Sequence, residues 1–172
     1  MSEPKSGFYG KYRGIVVTNV DPMQMGRIQA QVPDVLGINV TSWALPCVPF
    51  AGIQSGLYCV PAVGAGVWIE FEQGDPEYPI WTGGWWATAA EVPAMALMAP
   101  PGLPSIVLQT SGQNAVVVSD VPGPTGGIVL RSLTGAMIIV NDSGIFIQNG
   151  KGASIILAGP VVDINNGALT II

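Results

Sequence analysis

The sequence predicts an all-β protein in two parts, a small closed barrel followed by a repetitive stack of short strands. Three observations indicate this class. Short runs with period-two alternation of apolar and polar residues recur along the chain, and period two is the signature of strands. No segment has the apolar spacing of an amphipathic helix. In residues 127–172, glycines recur about every eight positions, which indicates a structural repeat.

The first part, residues 10–87, predicts a five-stranded barrel of the OB type. Two turn sequences, DPMQMG (21–26) and GDPEYP (74–79), separate strand-like runs. The five runs are KYRGIVVTNV (11–20), RIQAQVPDV (27–35), SWALPCVPF (42–50), GVWIEFE (66–72) and IWTGGWW (80–86). Five strands in about 80 residues are enough to close a small barrel. Residues 1–9 are expected to form a loose polar lead-in.

Residues 88–104 are rich in proline and alanine and predict a semi-extended connector. Beyond it, residues 105–172 predict a needle of the parallel β-helix type, with two strands at 105–110 and 114–120 before the repeat begins. The repeat turns are assigned to glycines that can adopt positive φ. They are Gly127, Gly135, Gly144, Gly152, Gly159 and Gly167.

The length of the repeat predicts a trimer. A self-contained β-helix uses about 20 or more residues per turn, so eight residues supply only one side of a triangular prism. Three chains wound about one axis would supply the other sides, each strand pairing with a strand of a different chain. The apolar positions expected to point inward as the trimer core are Ile138, Val140, Ile145, Ile147, Ile155, Leu157, Val162, Ile164, Leu169 and Ile171.

Composition argues against a membrane span, a signal peptide and polyanion partners. Although 49% of residues are hydrophobic, no uninterrupted apolar run reaches the length of a membrane span, and residues 1–14 lack the apolar region of a signal peptide. The chain is therefore expected to be made in the cytoplasm. The net charge is −5, and no Lys or Arg lies between Arg27 and Arg131, so the barrel lacks the basic groove that nucleic acid requires.

Catalytic, cofactor and metal sites are not expected. The chain has no histidine, and its two cysteines, Cys47 and Cys59, are expected to be buried free thiols, with a disulfide as the alternative. A carboxylate cluster spans residues 70–77, but an exposed barrel edge explains it better than catalysis. The tryptophans of the barrel are better explained by packing or subunit contact than by base stacking.

A resemblance to a known family rests on three stretches, in this order: YRGIVVTNVDPMQMGRIQAQVPDV, VPAVGAGVWIEFEQGDPEYPIWTGGWW and the glycine-spaced repeat. They resemble the central spike proteins of contractile injection systems, namely the phage baseplate assembly protein V group and the VgrG-type spikes. The matching OB-fold motif residues are Asp21, Gly26, Arg27, Gly74, Asp75, Pro76 and Pro79. The sequence has no lysozyme domain, no histidine for an iron-binding apex and none of the large domains that begin VgrG proteins.

The resemblance implies a homotrimeric spike that caps the tail tube of a phage tail, tailocin or secretion system and pierces the target envelope. The implied partners are tube, hub and baseplate proteins at the barrel end and, transiently, the target membrane. Because the sequence ends in an apolar strand, Ile171 and Ile172 are expected to dock a conical tip protein of the PAAR type. The alternative is a β-helical adaptor that carries an effector and does not puncture.

Overall fold

The computed structural model describes residues 7–171, apart from the side chain of Thr170. The chain forms two compact units that divide after Ala89, and both are built from β-strands, so the predicted all-β class is confirmed. Within the described residues, no helix is both long and apolar enough to cross a bilayer.

The N-terminal unit is a closed barrel. Its elements are β1 (Tyr12–Thr18), β2 (Gln29–Gln31), α1 (Pro33–Leu36), β3 (Leu45–Pro46), β4 (Ala51–Gly52), β5 (Ser55–Gly56), β6 (Gly66–Phe71) and β7 (Pro79–Trp85). Five of them form one sheet in the order β2-β1-β6-β7-β3, antiparallel except between β3 and β7. An isolated bridge between Ile28 and Ala44, with N···O distances of 2.8 and 3.2 Å, joins the two ends of the sheet. This closure confirms the OB-type prediction.

Alternation along the strands fills the barrel. In β1, Gly14 and Val16 point inward, whereas Ile15 and Val17 point outward. The buried core consists of Val16, Ile28, Ala30, Val32, Ala44, Val67, Ile69, Phe71 and Trp81. Phe8 packs beside this core against the rings of Tyr12 and Phe71, each at 6.2 Å between centroids. Phe8 lies in the segment expected to be loose, and its packing corrects that expectation.

Two strands are shorter than the sequence predicts, and proline is the reason in both. The second strand ends at Gln31 because Pro33 begins α1, at the position where a missing N–H costs a helix nothing. The third is reduced to Leu45–Pro46, since prolines cannot donate to a ladder. The predicted extended connector also differs, because it contains two 3₁₀ turns, Ala89–Glu91 and Ala94–Met98.

The C-terminal unit is one eight-stranded sheet in which spatial order follows chain order. Its strands are β8 (Ser105–Gln109), β9 (Ala115–Ser119), β10 (Gly127–Arg131), β11 (Met137–Asn141), β12 (Gly144–Gln148), β13 (Ser154–Ala158), β14 (Val161–Ile164) and β15 (Leu169–Ile171). A 3₁₀ turn, Gly123–Thr125, lies between β9 and β10.

The pairing of these strands corrects one detail of the prediction. Instead of parallel strands that pair with other chains, consecutive strands pair with each other within one chain, and every pair is antiparallel. Connections as short as Asp142–Ser143, between β11 and β12, explain this, because a parallel crossover requires a dozen or more residues. The six repeat glycines all adopt positive φ, between +54° and +146°.

Candidate assembly surfaces

The predicted OB-fold motif residues at 21–27 form a clasp that closes the turn between β1 and β2. The buried carboxylate of Asp21 accepts hydrogen bonds from the backbone N–H groups of Met23, Met25 and Arg27 at 2.9, 2.8 and 3.3 Å. The guanidinium of Arg27 donates to the same carboxylate, with Nη2 2.6 Å from Oδ1 and Nε 3.1 Å from both oxygens. The turn therefore has one acceptor for most of its free N–H groups.

The electrostatics of the clasp follow from these contacts. The Arg27 hydrogen bonds hold the pKa of Asp21 well below its usual range, the three backbone N–H groups act in the same direction, and burial opposes them. The pKa of Arg27 is raised, mainly by its hydrogen bonds with Asp21. Arg27 also lies over the ring of Trp43, with Cζ 5.3 Å from the ring centroid. The clasp is thus charged in the folded state at any physiological pH.

The second set of motif residues forms the turn between β6 and β7. Gly74 is buried at φ +76°, and a Cβ there would lie 2.9 Å from the Cα of Gly7, so the turn can accept the N-terminal segment only through glycine. The Gly74 carbonyl accepts from the N–H of Phe8 at 2.9 Å. Asp75 Oδ1 accepts from the N–H of Glu77 at 3.0 Å, and the buried Pro79 begins β7 after Pro76 in the turn.

The tryptophans have separate structural roles. Trp81 is buried, and its Nε1 donates to the carbonyl of Gly26 at 3.1 Å, which ties the clasp to β7. Trp68 and Trp85 lie 6.3 Å apart on the outer surface with Arg13 over both rings. Trp86 remains 62% exposed. Packing accounts for the first three, as the sequence predicts.

In the C-terminal unit, one face of the sheet carries two straight rows of aliphatic side chains, which we call the two-row face. Partners across each strand pair lie on the same side of the sheet, so the registers define the rows. One row is Ile106, Val118, Ile128, Val140, Ile145, Leu157, Val162 and Ile171, and the other is Leu108, Val116, Leu130, Ile138, Ile147, Ile155, Ile164 and Leu169.

The ten residues that the sequence assigns to the trimer core all lie on this face. The sequence prediction missed six further members on β8, β9 and β10, although the same alternation in SIVLQ, AVVVS and GIVLR could have identified them. Fourteen of the sixteen side chains are 37% or more exposed, and Val162 and Ile164 are half-buried. A soluble protein does not leave an apolar surface of this size in water without a partner.

The opposite face has a different character. It carries Gln109, Arg131, Asn141 and Gln148 along its margins and Asp163 in its central row. The 3₁₀ turn at Ala94–Met98 covers part of its apolar centre. A cavity of about 260 Å³ lies there, lined by Met95, Met98, Val117, Val129 and Ile139 among others. Polar margins and a covering segment indicate that this is the outer face.

The remaining candidate residues are placed as follows. Ile171, in β15, is 55% exposed, whereas Ile172, the other proposed tip-docking residue, lies outside the described residues. In the carboxylate cluster, Glu70 forms an ion pair with Lys11 at 2.6 Å. Cys47 and Cys59 are free thiols but exposed, which corrects the prediction of burial, because they flank the exposed hairpin β4–β5.

Comparison with known families follows the division of the chain. Residues 12–86 match the type VI secretion system/phage-baseplate injector OB domain, and residues 105–170 match the phage baseplate V C-terminal trimerisation domain. The two matches together cover most of the chain. The chain belongs to the phage baseplate V family. No curated protein sequence matches the chain.

Membership gives the two units their roles. The N-terminal unit of this baseplate V protein is an injector OB domain, and its C-terminal unit is a trimerisation domain. The protein is accordingly a homotrimeric structural component of a baseplate or spike, incorporated into a virion or injection particle.

Proposed function

We propose that this baseplate V protein is a spike that caps the tail tube of a contractile injection apparatus and mechanically pierces the target cell envelope. The observation that carries the proposal is the two-row face. Sixteen aliphatic side chains in straight rows, with no polar residue among them, form a surface that three copies can bury against one another around a common axis.

The geometry of such an assembly suits axial load. Eight strands spaced about 4.8 Å apart give a sheet on the order of 35 Å long, with its strands across the long direction. Within each chain, antiparallel backbone hydrogen bonds connect every strand to the next. Between chains, burial of each aliphatic side chain contributes on the order of 1 kcal/mol, so the three sheets separate only if many contacts fail together.

The role that we propose is mechanical rather than catalytic. Glu70 is paired with Lys11, and Asp75 caps its own turn, so both carboxylates already serve the barrel. In the C-terminal unit, Asp142 accepts from the N–H of Gly123 and Asp163 accepts from the N–H of Gly167, both at 2.9 Å. These contacts support a structural use of the acidic residues. The barrel end would then contact tube and hub proteins.

A shortened needle distinguishes piercing from the adaptor alternative. Deletion of residues 142–158 removes β12 and β13 and joins Asn141 to Gly159, so that β11 meets β14 with both apolar rows in register. We expect trimers that assemble into particles normally but that are about 10 Å shorter, from two strand spacings. Permeabilisation of target cells by contracting particles should fall several-fold, measured as potassium efflux.

Trimer mass and incorporation into particles serve as internal controls for this deletion. An adaptor that only carries an effector does not depend on needle length. Normal permeabilisation by correctly assembled short particles would therefore contradict piercing.

The exposed end of β15 supports the proposal of a tip protein. Ile171 belongs to one row of the two-row face and has no strand beyond it in the described sheet, so a small apolar protein could continue the stack. Ile171→Asp should abolish co-purification of a PAAR-type tip protein from assembled particles, whereas Asn166→Asp in the adjacent turn should not. Equal recovery with both variants would exclude docking at this end.

A further inference from the structure

The hairpin β4–β5 and its flanks lie exposed on the surface of the barrel, and we call residues 49–59 the hairpin arm. Every residue of the arm is exposed. In the described part of the chain, its two strands pair only with each other, through Ala51 with Gly56 and Gly52 with Ser55. An isolated two-stranded hairpin is marginally stable in water at best. Within the described residues, the arm therefore has little packing to hold its shape beyond the ring of Tyr58, which lies beside Gly26.

The surface of the arm is unusual for solvent-exposed chain. Ile53 at its tip is 98% exposed, and Phe50 and Tyr58 are 61% and 70% exposed. The arm contains no charged residue, and none occurs anywhere in residues 35–69. Aromatic enrichment with depletion of charge is the composition of the buried centre of a permanent interface.

We propose that the hairpin arm docks onto the barrel of the next subunit of the trimer, against the outward side of β1. The inference rests on the trimeric state that the C-terminal unit provides. A threefold ring is built from head-to-tail contacts, so each subunit needs two different surfaces. One surface docks onto the next subunit, and the other binds the docking surface of the previous subunit. The arm is the first, and the exposed pair Ile15 and Val17 on β1 is the second.

The barrels of one trimer are tethered to each other, which favours a second copy of this chain over another protein as the binding partner of the arm. Once three C-terminal units have joined, the three barrels are held at an effective concentration in the millimolar range, at which modest apolar contacts are occupied. The outward side of β1 is also suited to the arm, because Ile15 and Val17 occupy positions that a strand facing water normally gives to polar residues.

A photo-reactive phenylalanine analogue at position 53 of the full-length trimer tests this proposal. The matched control is the same analogue at position 38, because Ile38 is another isoleucine of the uncharged segment and is 88% exposed. We expect covalently linked chains on a fully denaturing gel at several-fold higher yield from position 53. Mass spectrometry should locate the adduct on β1, and Val17→Asp should reduce the yield several-fold.

Equal yields from positions 53 and 38 would overturn the proposal, as would an adduct elsewhere on the partner barrel. In assembled particles, an adduct to a different baseplate protein would likewise overturn it in favour of that partner. The mass of the trimer before irradiation is an independent readout. A mass below that of a trimer would count against the packing of the two-row face. An intact trimer that gives no cross-links would count against docking of the arm alone.

Discussion

Arg27 and Asp21 form a partly buried ion pair in which Nη2 of the arginine lies 2.6 Å from Oδ1 of the aspartate. The pair lies within a turn rather than between distant elements, and the same carboxylate collects three backbone N–H groups. Because the Gly26 carbonyl also accepts from Trp81, the turn is fixed both to itself and to the barrel core. The sequence motif that identifies the family at this point is therefore a device for barrel stability.

Asp21→Asn should lower the melting temperature of the barrel by several degrees at pH 7. The pKa of Asp21 lies below its unfolded value, so ionised Asp21 stabilises the fold above about pH 4 and this contribution is lost as the pH falls further. The difference between parent and variant should accordingly shrink between pH 4 and pH 2. Tryptophan fluorescence reports the barrel selectively, because all five tryptophans lie between residues 43 and 86.

The exposed Asp34 provides the control for that measurement, and Asp34→Asn should change the melting temperature little at any pH. A gap between parent and Asp21→Asn that stays constant down to pH 2 would contradict the assigned role of the carboxylate.

Ile147→Lys should prevent trimer formation, whereas Gln148→Lys should not. The two residues are neighbours in β12, but Ile147 belongs to the two-row face and Gln148 to the opposite face. Three lysines brought together in an apolar interior would each cost several kcal/mol without a partner. Sedimentation equilibrium measures the mass of both variants. Trimers of normal stability with Ile147→Lys would show that the two-row face is not the interface.

Gly144→Ala should destabilise the C-terminal unit far more than Gly159→Ala. A Cβ at Gly144 would lie 2.1 Å from the Leu157 carbonyl oxygen, so the ladder between β12 and β13 would have to open. Gly159 has open space around it and a φ of +54°, where alanine costs about 1 to 2 kcal/mol. Thermal unfolding followed by circular dichroism compares the two. Equal losses would mean that φ alone, and not the close approach of the strands, sets the requirement for glycine.

Trp81→Phe should cost the barrel about 1 kcal/mol from the hydrogen bond alone, with a further loss for the smaller ring. The indole N–H donates to the Gly26 carbonyl, and the side chain is buried in the core. Trp86→Phe is the control, because Trp86 is largely exposed. Urea unfolding followed by the remaining tryptophans measures both, and similar midpoints for the two variants would contradict the assignment.

In the C-terminal unit, alternation and glycine spacing were enough to predict the strands and ten of the sixteen side chains of the two-row face. They could not predict which strand pairs with which, because a row such as Val140, Ile145 and Leu157 looks the same whether its members come from one chain or three. The short connections decide that point, because a parallel crossover requires a dozen or more residues.

The sequence also misplaced Phe8 and the exposed cysteines, for a common reason. The packing of Phe8 depends on Gly74 accepting the N-terminal segment, and the exposure of Cys47 and Cys59 depends on their place beside the exposed hairpin arm. Both are tertiary relationships between distant segments. By contrast, the Asp21 clasp spans only seven residues, and its motif could be recognised directly.

Consecutive pairing within one chain has a consequence for how the protein is made. Only a few residues connect the two strands of each pair in the C-terminal sheet, so the sheet can form one hairpin at a time as the chain leaves the ribosome. Because these contacts are local in sequence, the hairpins should form fast. Each newly made chain would then expose its two-row face to water before the other two subunits bind it. Overproduction at high temperature should favour aggregation over assembly, and slow synthesis should relieve it.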